Sequence, residues 1–405
     1  MVKRPLALAL SSVVALGVAC FACAGIIGVS NITDDPPFPE TGPFINAYLS
    51  DSSAADAAVD VMPPAEAGFD APVCDGSFTS DPNNCGSCGH SCQGGACDAG
   101  ACQPSVLASS ATSLQNLAVG SGSVFYTVYA SPGSVMAVPV AGGASVPLTA
   151  SEPLPQDVVV NGTNVYFTDV NGGNGVLKQM ATDGGGLQTV ATETGFPYGL
   201  SVSAATGDVL FSTYTSGTYT LHADTPMGLT NYAVTPGQIF AIASNATAAY
   251  FTDEASGYIV SLTFATGSTG AIATGLGQPR AIAESGGVLY FFASGVANDR
   301  ALLSLTLGQT TPVTLVSGLR NPQGLVVDPA NIYYDDANDG TAVDGGPPTG
   351  SLYRLPVQAQ AADGGPSAPQ VIASGQPFPA AMAQDGSSVY WINQGPPSTV
   401  MKLAK

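Results

Sequence analysis

A five-residue strand motif recurs seven times in the C-terminal three quarters of this chain. The clearest copy is VYFTD at residues 165–169, which follows an Asn161-Gly162 dipeptide typical of a hairpin turn. The copies centre on Phe125, Tyr166, Leu210, Tyr250, Tyr290, Tyr333 and Tyr390, at intervals of 41, 44, 40, 40, 43 and 57 residues. Because repeats of this length are the signature of propeller blades, the period constrains the fold more than any other feature.

Each period contains four short apolar strands. One strand precedes each anchor motif and two follow it, and the turns between them draw on the 49 Gly and 31 Pro of the chain. No apolar stripe with a period of 3.6 residues occurs in the repeats, which excludes a helical solenoid. The pattern therefore predicts an all-β fold, a seven-bladed β-propeller of four-stranded antiparallel blades at residues 103–405.

The two ends of the array predict how the ring closes. The array opens with SVLASS, which has the position of an outermost strand, and ends with STVMKLAK, a third strand with no fourth after it. We expect Val106–Ser109 to pair beside Val400–Leu403, so that both termini share one blade. Such sharing removes an exposed sheet edge that would otherwise favour aggregation.

The YFTD sequences at 166–169 and 250–253 give the array a resemblance to the YWTD, NHL and streptogramin-lyase-like propellers. The resemblance implies that the motif aromatics fill the space between blades and that the motif acid bonds backbone groups. The last motif position is acidic only at Asp169, Asp253 and Asp336. In the other copies it is Val128, Thr213, Ala293 and Asn393.

The first residues have the pattern of an export signal. Lys3 and Arg4 precede an uncharged apolar run that ends in small residues, so we assign residues 1–24 to a signal peptide or lipoprotein signal. Three fates of this segment stay open. They are cleavage after Ala24, lipidation at Cys20 or Cys23 in a bacterial lipobox-like context, and retention as a membrane anchor.

An acidic Pro/Ala-rich segment at residues 25–73 is predicted to be a disordered linker. A compact cysteine-rich module follows at residues 74–102. Its six cysteines predict three disulfides of unspecified pairing in an exported protein, and they are Cys74, Cys85, Cys88, Cys92, Cys97 and Cys102. Zinc binding through Cys85, Cys88 and His90 is the competing hypothesis. The run NNCGSCGHSC resembles Stig1-like modules of secreted bacterial proteins.

The charge balance excludes some partners. Nine Lys+Arg face 29 Asp+Glu, which gives a formal charge of -20 and a pI near 4.1. An acidic surface repels phosphate backbones, so we expect no nucleic acid partner. Membrane contact is expected only through the N-terminal signal or a lipid anchor. The chain is expected to be a monomer. It is expected to be extracytoplasmic, either at the cell envelope and outer surface or secreted.

The turns that lead into the innermost strands predict a ring of side chains around the channel mouth. These residues are Asn116, Asp157, Tyr198, Phe240, Arg280, Gln323 and Ala380. Arg280 is the lone positive charge of this set. Pairing with Asp157 or binding of an anionic ligand is one interpretation, and a simple structural ion pair or a solvated side chain is the favoured one. The loop at residues 335–350 and the insertion at 358–370 depart most from the repeat. They are further candidates for ligand binding.

Reactive side chains are few. His90 lies in the cysteine module, and His222 lies on a third or outer strand, where we expect it at the surface. No nucleophile elbow, zinc-protease or phosphate-loop motif occurs. Residues 169–175 and 335–340 approach the spacing of calcium loops without matching it, so no cofactor is expected and Ca²⁺ is only a weak candidate.

The sequence favours a non-catalytic protein that binds an extracellular glycan, peptide or protein at the channel mouth. One alternative is a propeller lyase or hydrolase with a divalent metal held by carboxylates. Another is a purely structural component of the cell envelope. The candidate ligand-binding residues are Asn116, Asp157, Tyr198, Arg280 and Gln323, and no catalytic or metal-binding residue is assigned.

Overall fold

The computed structural model describes residues 76–203, 206–216, 218–225, 228–233, 237–294, 300–338, 349–357 and 368–405. These residues form strands and turns without any α-helix, and thus no helix among them could cross a membrane. The predicted signal with Cys20 and Cys23, the linker and Cys74 lie outside the described residues. So does most of the two insertions, at residues 339–348 and 358–367.

The strands of the described residues follow the predicted period. The cysteine module contributes β1 (Cys97–Asp98) and β2 (Ala101–Cys102), and β3 (Ser105–Ser110) comes next. Blade one contains β4 (Leu114–Gly120), β5 (Ser123–Val128), β6 (Ser134–Pro139) and β7 (Val146–Pro147). Blade two contains β8 (Pro155–Asn161), β9 (Asn164–Asn171), β10 (Asn174–Ala181) and β11 (Gln188–Thr194). Blade three contains β12 (Phe196–Val202), β13 (Val209–Thr215), β14 (Thr218–Thr225) and β15 (Gly228–Ala233).

The remaining four blades repeat the arrangement. Blade four contains β16 (Ile239–Ser244), β17 (Ala248–Asp253), β18 (Tyr258–Thr263) and β19 (Thr269–Ala273). Blade five contains β20 (Ile282–Ser285), β21 (Val288–Ser294), β22 (Arg300–Thr306) and β23 (Val313–Leu319). Blade six contains β24 (Leu325–Val327), β25 (Asn331–Asp336), β26 (Gly350–Pro356) and β27 (Gln370–Gln376). Blade seven contains β28 (Pro379–Gln384), β29 (Ser388–Asn393), β30 (Ser398–Ala404) and the early strand β3.

The ring closes as the sequence predicts. β3 pairs antiparallel with β30, with Val106 opposite Met401, Ala108 opposite Val400 and Ser109 opposite Thr399. In every blade the strands are antiparallel and run in order from the innermost to the outermost, with the anchor motif on the second strand. The seven-bladed β-propeller and its closure are therefore confirmed.

The aromatic residues of the anchor motifs build the core between blades. Tyr166 of blade two packs in one buried cluster with Phe211 of blade three, and Tyr250 of blade four does so with Phe291 of blade five. The third motif residue of every blade is almost wholly buried, and these residues are Tyr126, Phe167, Phe211, Phe251, Phe291, Tyr334 and Trp391. Burying large rings on both faces of each blade is the main source of cohesion in the ring.

The cysteine module is held by disulfides. Cys85 pairs with Cys97, Cys92 pairs with Cys102, and Cys88 is also disulfide-bonded. His90 contacts two backbone carbonyls, Cys85 O at 2.6 Å and Lys405 O at 2.8 Å. The zinc hypothesis is wrong, because a thiolate ligand must be free of a disulfide and both ring nitrogens of this histidine are already engaged.

The module docks on the propeller through the C-terminal strand. Lys402 is buried, and its ammonium donates to Gln93 O at 2.7 Å in the module and to Val140 O at 2.8 Å in blade one. Val140 follows a third strand, so the module lies on the face of the ring opposite the turns that enter the innermost strands. Burial lowers the pKa of Lys402, since removing its charge from water opposes protonation.

Removal of β3 should open the ring. A fragment of residues 111–405 exposes the edge of β30, whereas a fragment of residues 105–405 keeps it covered, and neither contains the cysteine module. We expect the shorter fragment to melt roughly 5–10 °C lower and to self-associate through the exposed edge. Differential scanning calorimetry and size-exclusion chromatography compare the two. Equal melting temperatures and a monomeric shorter fragment would contradict closure by β3.

Candidate functional site

The innermost strands enter the channel through a local irregularity in the sheet. In five blades the pairing between the first and second strands shifts register near the start of the innermost strand, as between Leu114 and Leu117 or Pro155 and Val158. A register shift of this kind leaves a backbone amide without its partner in the ladder. The segments containing these shifts form the rim of the channel on the predicted functional face.

Side chains of the second strand satisfy these amides. Thr127 accepts from the amide of Asn116 at 3.1 Å, and Thr168 accepts from that of Asp157 at 3.2 Å. Thr252 performs the same role in blade four, accepting from the amide of Ala241 at 3.1 Å. The Thr of the YFTD motif is thus a structural residue that fixes the chain at the rim.

Blade six uses a carboxylate at this position. Asp335 is fully buried and accepts from the amides of Gln323 at 2.8 Å and Gly324 at 2.9 Å. Burial is the largest influence on this carboxyl and raises its pKa well above the ordinary value, although the two amides oppose the rise. A Cβ atom at Gly324 would lie 2.5 Å from Met382 Cγ, so glycine is needed for this close approach.

A cavity of about 610 Å³ occupies the mouth of the channel. All seven blades contribute to its wall, and six of the seven residues predicted from the repeat alignment line it, namely Asn116, Asp157, Tyr198, Phe240, Gln323 and Ala380. A second cavity of about 470 Å³ continues along the channel between the innermost strands. The volume of the mouth falls within the range of roughly 300–1,000 Å³ typical of small-ligand sites.

Arg280 does not line the mouth cavity. Its guanidinium donates to Glu254 Oε1 from Nε at 3.0 Å and from Nη2 at 2.8 Å, and it lies 5.1 Å from the ring centre of Phe240. The favoured interpretation of a structural ion pair agrees with this contact, whereas the alternative pairing with Asp157 is wrong, because the loop after β17 supplies the acid. Arg280 supports the rim beneath Phe240 through an ion pair and a cation–π contact.

Among the described residues that line the mouth cavity, Asp157 carries the one carboxyl group. Asn116 Nδ2 donates to its Oδ1 atom at 2.7 Å, which links blades one and two across the rim. The surrounding walls remove water from the carboxylate, and this burial raises the pKa of Asp157 above its ordinary value despite the lowering effect of Asn116. A carboxyl group with a raised pKa in a cleft is a common property of functional sites.

The sequence alignment missed part of the wall. Gln115 and Gln156 line the cavity beside the predicted residues, because the irregular rim segments present two consecutive side chains to the cavity. Tyr129 and Gln394 come from loops after second strands, and Phe196 comes from the start of β12. No pattern in the sequence singles out these residues.

A group of tyrosines supports the mouth at blade three. The ring of Tyr198 lies 5.9 Å from that of Tyr219, which in turn lies 4.6 Å from that of Tyr214. Burial, followed by the neighbouring tyrosines and acids, raises the pKa of Tyr219 to about 12. Tyr219 therefore stays neutral at physiological pH and serves as a packing surface behind Tyr198.

The acids at the last motif position are buried rather than directed at ligands. Asp169 accepts from the amide of Leu154 at 2.7 Å and from Lys178 at 2.9 Å, and Lys178 also pairs with Glu152. Asp336 accepts from the amide of Asn321 at 2.7 Å, in a similar position in blade six. In the two segments with a spacing close to that of calcium loops, these carboxylate oxygens hold the backbone that leads into the innermost strand.

His222 is buried, contrary to the surface position expected for it. It lies on the third strand of blade three, stacks on Phe211 at 4.7 Å and contacts Thr213 Oγ1 and Asn231 Oδ1, each at 2.8 Å. Burial lowers its pKa. A threonine, a histidine and an amide in line resemble a catalytic relay, but His222 and Thr213 line none of the described cavities.

Comparison with known proteins supports the fold. No protein-family model matches the sequence, and neither does any curated protein sequence. The AfRom2 CNH domain is similar with a TM-score of 0.51 at 8% identity, over 74% of this chain and 99% of that one. The computationally designed Ika8 protein gives 0.50 at 11% identity, over 73% and 98%. The PQQ-bound aldose sugar dehydrogenase from Streptomyces coelicolor gives 0.46 at 13% identity, over 75% and 98%.

Loss of the Thr168 hydroxyl should destabilise the rim. Thr168→Val keeps the shape of the side chain but leaves the amide of Asp157 without an acceptor, which costs about 1–3 kcal/mol. Thr168→Ser keeps the hydroxyl and is the matched control. Blade three has a serine, Ser212, at the equivalent position. Urea denaturation measures both free energies of unfolding. A valine variant as stable as the serine variant would show that the hydroxyl does not hold the rim.

Neutralising Asp157 should stabilise the fold at neutral pH. Because its pKa is higher in the folded than in the unfolded chain, ionisation disfavours folding, and Asp157→Asn removes that penalty. The gain in melting temperature should be present at pH 7 and vanish below the unfolded pKa of about 3.9. Asp169→Asn is the control. It should lower the free energy of unfolding by about 1–3 kcal/mol at pH 7, because the buried groups that bond to Asp169 lose a charged acceptor. A lower melting temperature for Asp157→Asn at pH 7 would contradict the prediction.

Proposed function

We propose that this chain is an extracytoplasmic binding protein that holds its ligand at the mouth of the propeller channel. The observation that carries the proposal is the cavity of about 610 Å³ at the rim, whose wall receives side chains from all seven blades. Small-ligand and peptide sites are concave, with apolar walls and a few polar groups that orient the ligand. The mouth has both apolar wall residues and polar side chains.

The wall favours binding over chemistry. Among the described residues that line the mouth, Asp157 is the one carboxylate, and the set includes no histidine, cysteine, lysine or arginine. A lyase or hydrolase with a carboxylate-held metal requires three or more ligands of suitable chemistry. Among the described residues, the one group of three with metal-ligand spacing is Cys85, Cys92 and Cys102, whose sulfurs are in disulfides.

The disulfides support an extracytoplasmic location. Cys85–Cys97 and Cys92–Cys102 would be maintained in an oxidising compartment and reduced in most cytosols. The charged start and apolar run of residues 1–24 agree with export, and lipidation at Cys20 or Cys23 would keep the protein at the cell envelope. Without lipidation, cleavage after Ala24 would release it. The acidic charge of -20 suits a soluble surface that repels nucleic acid and anionic lipid.

A mouth-blocking variant tests the proposal. Gln156 and Thr163 lie at opposite ends of the β8–β9 hairpin, Gln156 on the mouth and Thr163 in the turn on the other face. Gln156→Trp should fill part of the cavity and weaken binding at least tenfold, whereas Thr163→Trp should leave it unchanged. The measurement is binding of the purified chain to arrays of glycans, peptides and envelope proteins. If no array member binds, or if both variants bind like the parent, the mouth is not a binding site and a structural role is favoured.

A further inference from the structure

We infer that the mouth takes an uncharged oligosaccharide, an inference that rests on the proposed binding function and narrows its ligand. The two sides of the cavity differ in chemistry. An arc of carboxamides spans blades six, seven, one and two, and a wall of aromatic rings occupies blades three and four. In a seven-bladed ring, blades three and four lie across the channel from blades six and seven.

The carboxamide arc contains five side chains. They are Gln323 in blade six, Gln394 in blade seven, Gln115 and Asn116 in blade one, and Gln156 in blade two. Each carboxamide has two N–H donors and a carbonyl acceptor. Asn116 is already engaged by Asp157 and by the amide of Leu117, and Gln323 Nε2 donates to Asn321 Oδ1 at 2.7 Å. Within the described part of the chain, no hydrogen bond from a protein group engages the amide oxygens of Gln115, Gln156 and Gln394. A ligand bearing groups that both donate and accept would match this arc.

The aromatic wall faces that arc. Phe196 is 49% exposed, and Tyr198 and Phe240 are half-buried beside it on the first strands of blades three and four. Tyr219 packs against the ring of Tyr198, and the Arg280 guanidinium packs against one face of the Phe240 ring. Rigid, partly exposed rings offer flat apolar area at low cost in conformational entropy.

The charges of the mouth disfavour ionic ligands. The described lining contains no lysine or arginine, so a carboxylate, sulfate or phosphate would be desolvated without a partner. The net charge of -20 adds long-range repulsion of anions. For a cation, one oxygen of Asp157 is engaged by Asn116 and the ring of Phe240 is already covered by Arg280.

A neutral sugar ring matches both sides of the cavity at once. Its hydroxyl groups donate and accept hydrogen bonds as carboxamides do, and its C–H face is apolar and flat enough to stack on an aromatic ring. A sugar placed between the two walls could use both surfaces, whereas a purely apolar ligand would leave the amide oxygens of Gln115, Gln156 and Gln394 without a protein or ligand donor. Leaving such groups unpaired reduces affinity and gives the site its selectivity.

The test uses the full chain on a glycan array that contains neutral, uronic-acid, sulfated and amino-sugar oligosaccharides, with titration calorimetry of each hit. Neutral glycans should bind and their charged counterparts should bind at least tenfold more weakly. Phe196→Leu, which keeps apolar area but removes the ring, and Gln115→Leu should each weaken binding at least tenfold. Gln188→Leu on the exposed outer strand β11 is the matched control and should bind like the parent.

The outcomes separate this inference from the proposed function. Binding of charged glycans, polyamines or peptides that Gln156→Trp abolishes, without binding of neutral glycans, would overturn the inference and leave the mouth as a binding site. Neutral-glycan binding that is insensitive to Phe196→Leu and Gln115→Leu would also overturn it. Absence of binding to any neutral glycan overturns the inference, and the peptide and protein arrays then decide on the mouth itself.

Discussion

The hydrogen bond from a rim amide to the second strand is the constraint on which the site depends. Where the innermost strand loses register with its neighbour, an amide is left without a ladder partner, and Thr127, Thr168, Thr252 and Asp335 supply the acceptor. Because these acceptors belong to a buried strand, they hold the irregular segment in place whatever its own side chains are. The rim residue is consequently free to vary from blade to blade.

This division of labour explains why so much of the sequence repeats. The second motif residue of one blade and the third of the next share a buried cluster, so each copy supports both neighbours and cannot diverge far. Rim contacts instead differ from blade to blade, since Asn116 bonds to Asp157 whereas Tyr198 packs beside Tyr219. Gln115, Tyr198 and Phe240 occupy related places in different blades yet have unrelated chemistry, which makes the mouth asymmetric on a nearly symmetric ring.

Most of the fold and part of the mouth were predictable because they follow from periodicity. The period and strand count specify the blades, the incomplete ends specify the closure, and alignment places rim residues such as Asn116 and Gln323. Contacts made by side chains outside the motif are not periodic. The ion pair of Arg280 with Glu254 depends on one loop, and alternation along β14 does not reveal that His222 faces a buried ring. Disulfide pairing likewise depends on a compact fold that spacing alone does not determine.

The docking of the cysteine module gives the ring two unequal sides. Lys402 and the carbonyl of Lys405 fasten the module to the face that carries the turns between first and second strands. The first described residues belong to this module and therefore lie on the face away from the mouth. Large or immobile ligands can therefore approach the mouth without meeting the cysteine module.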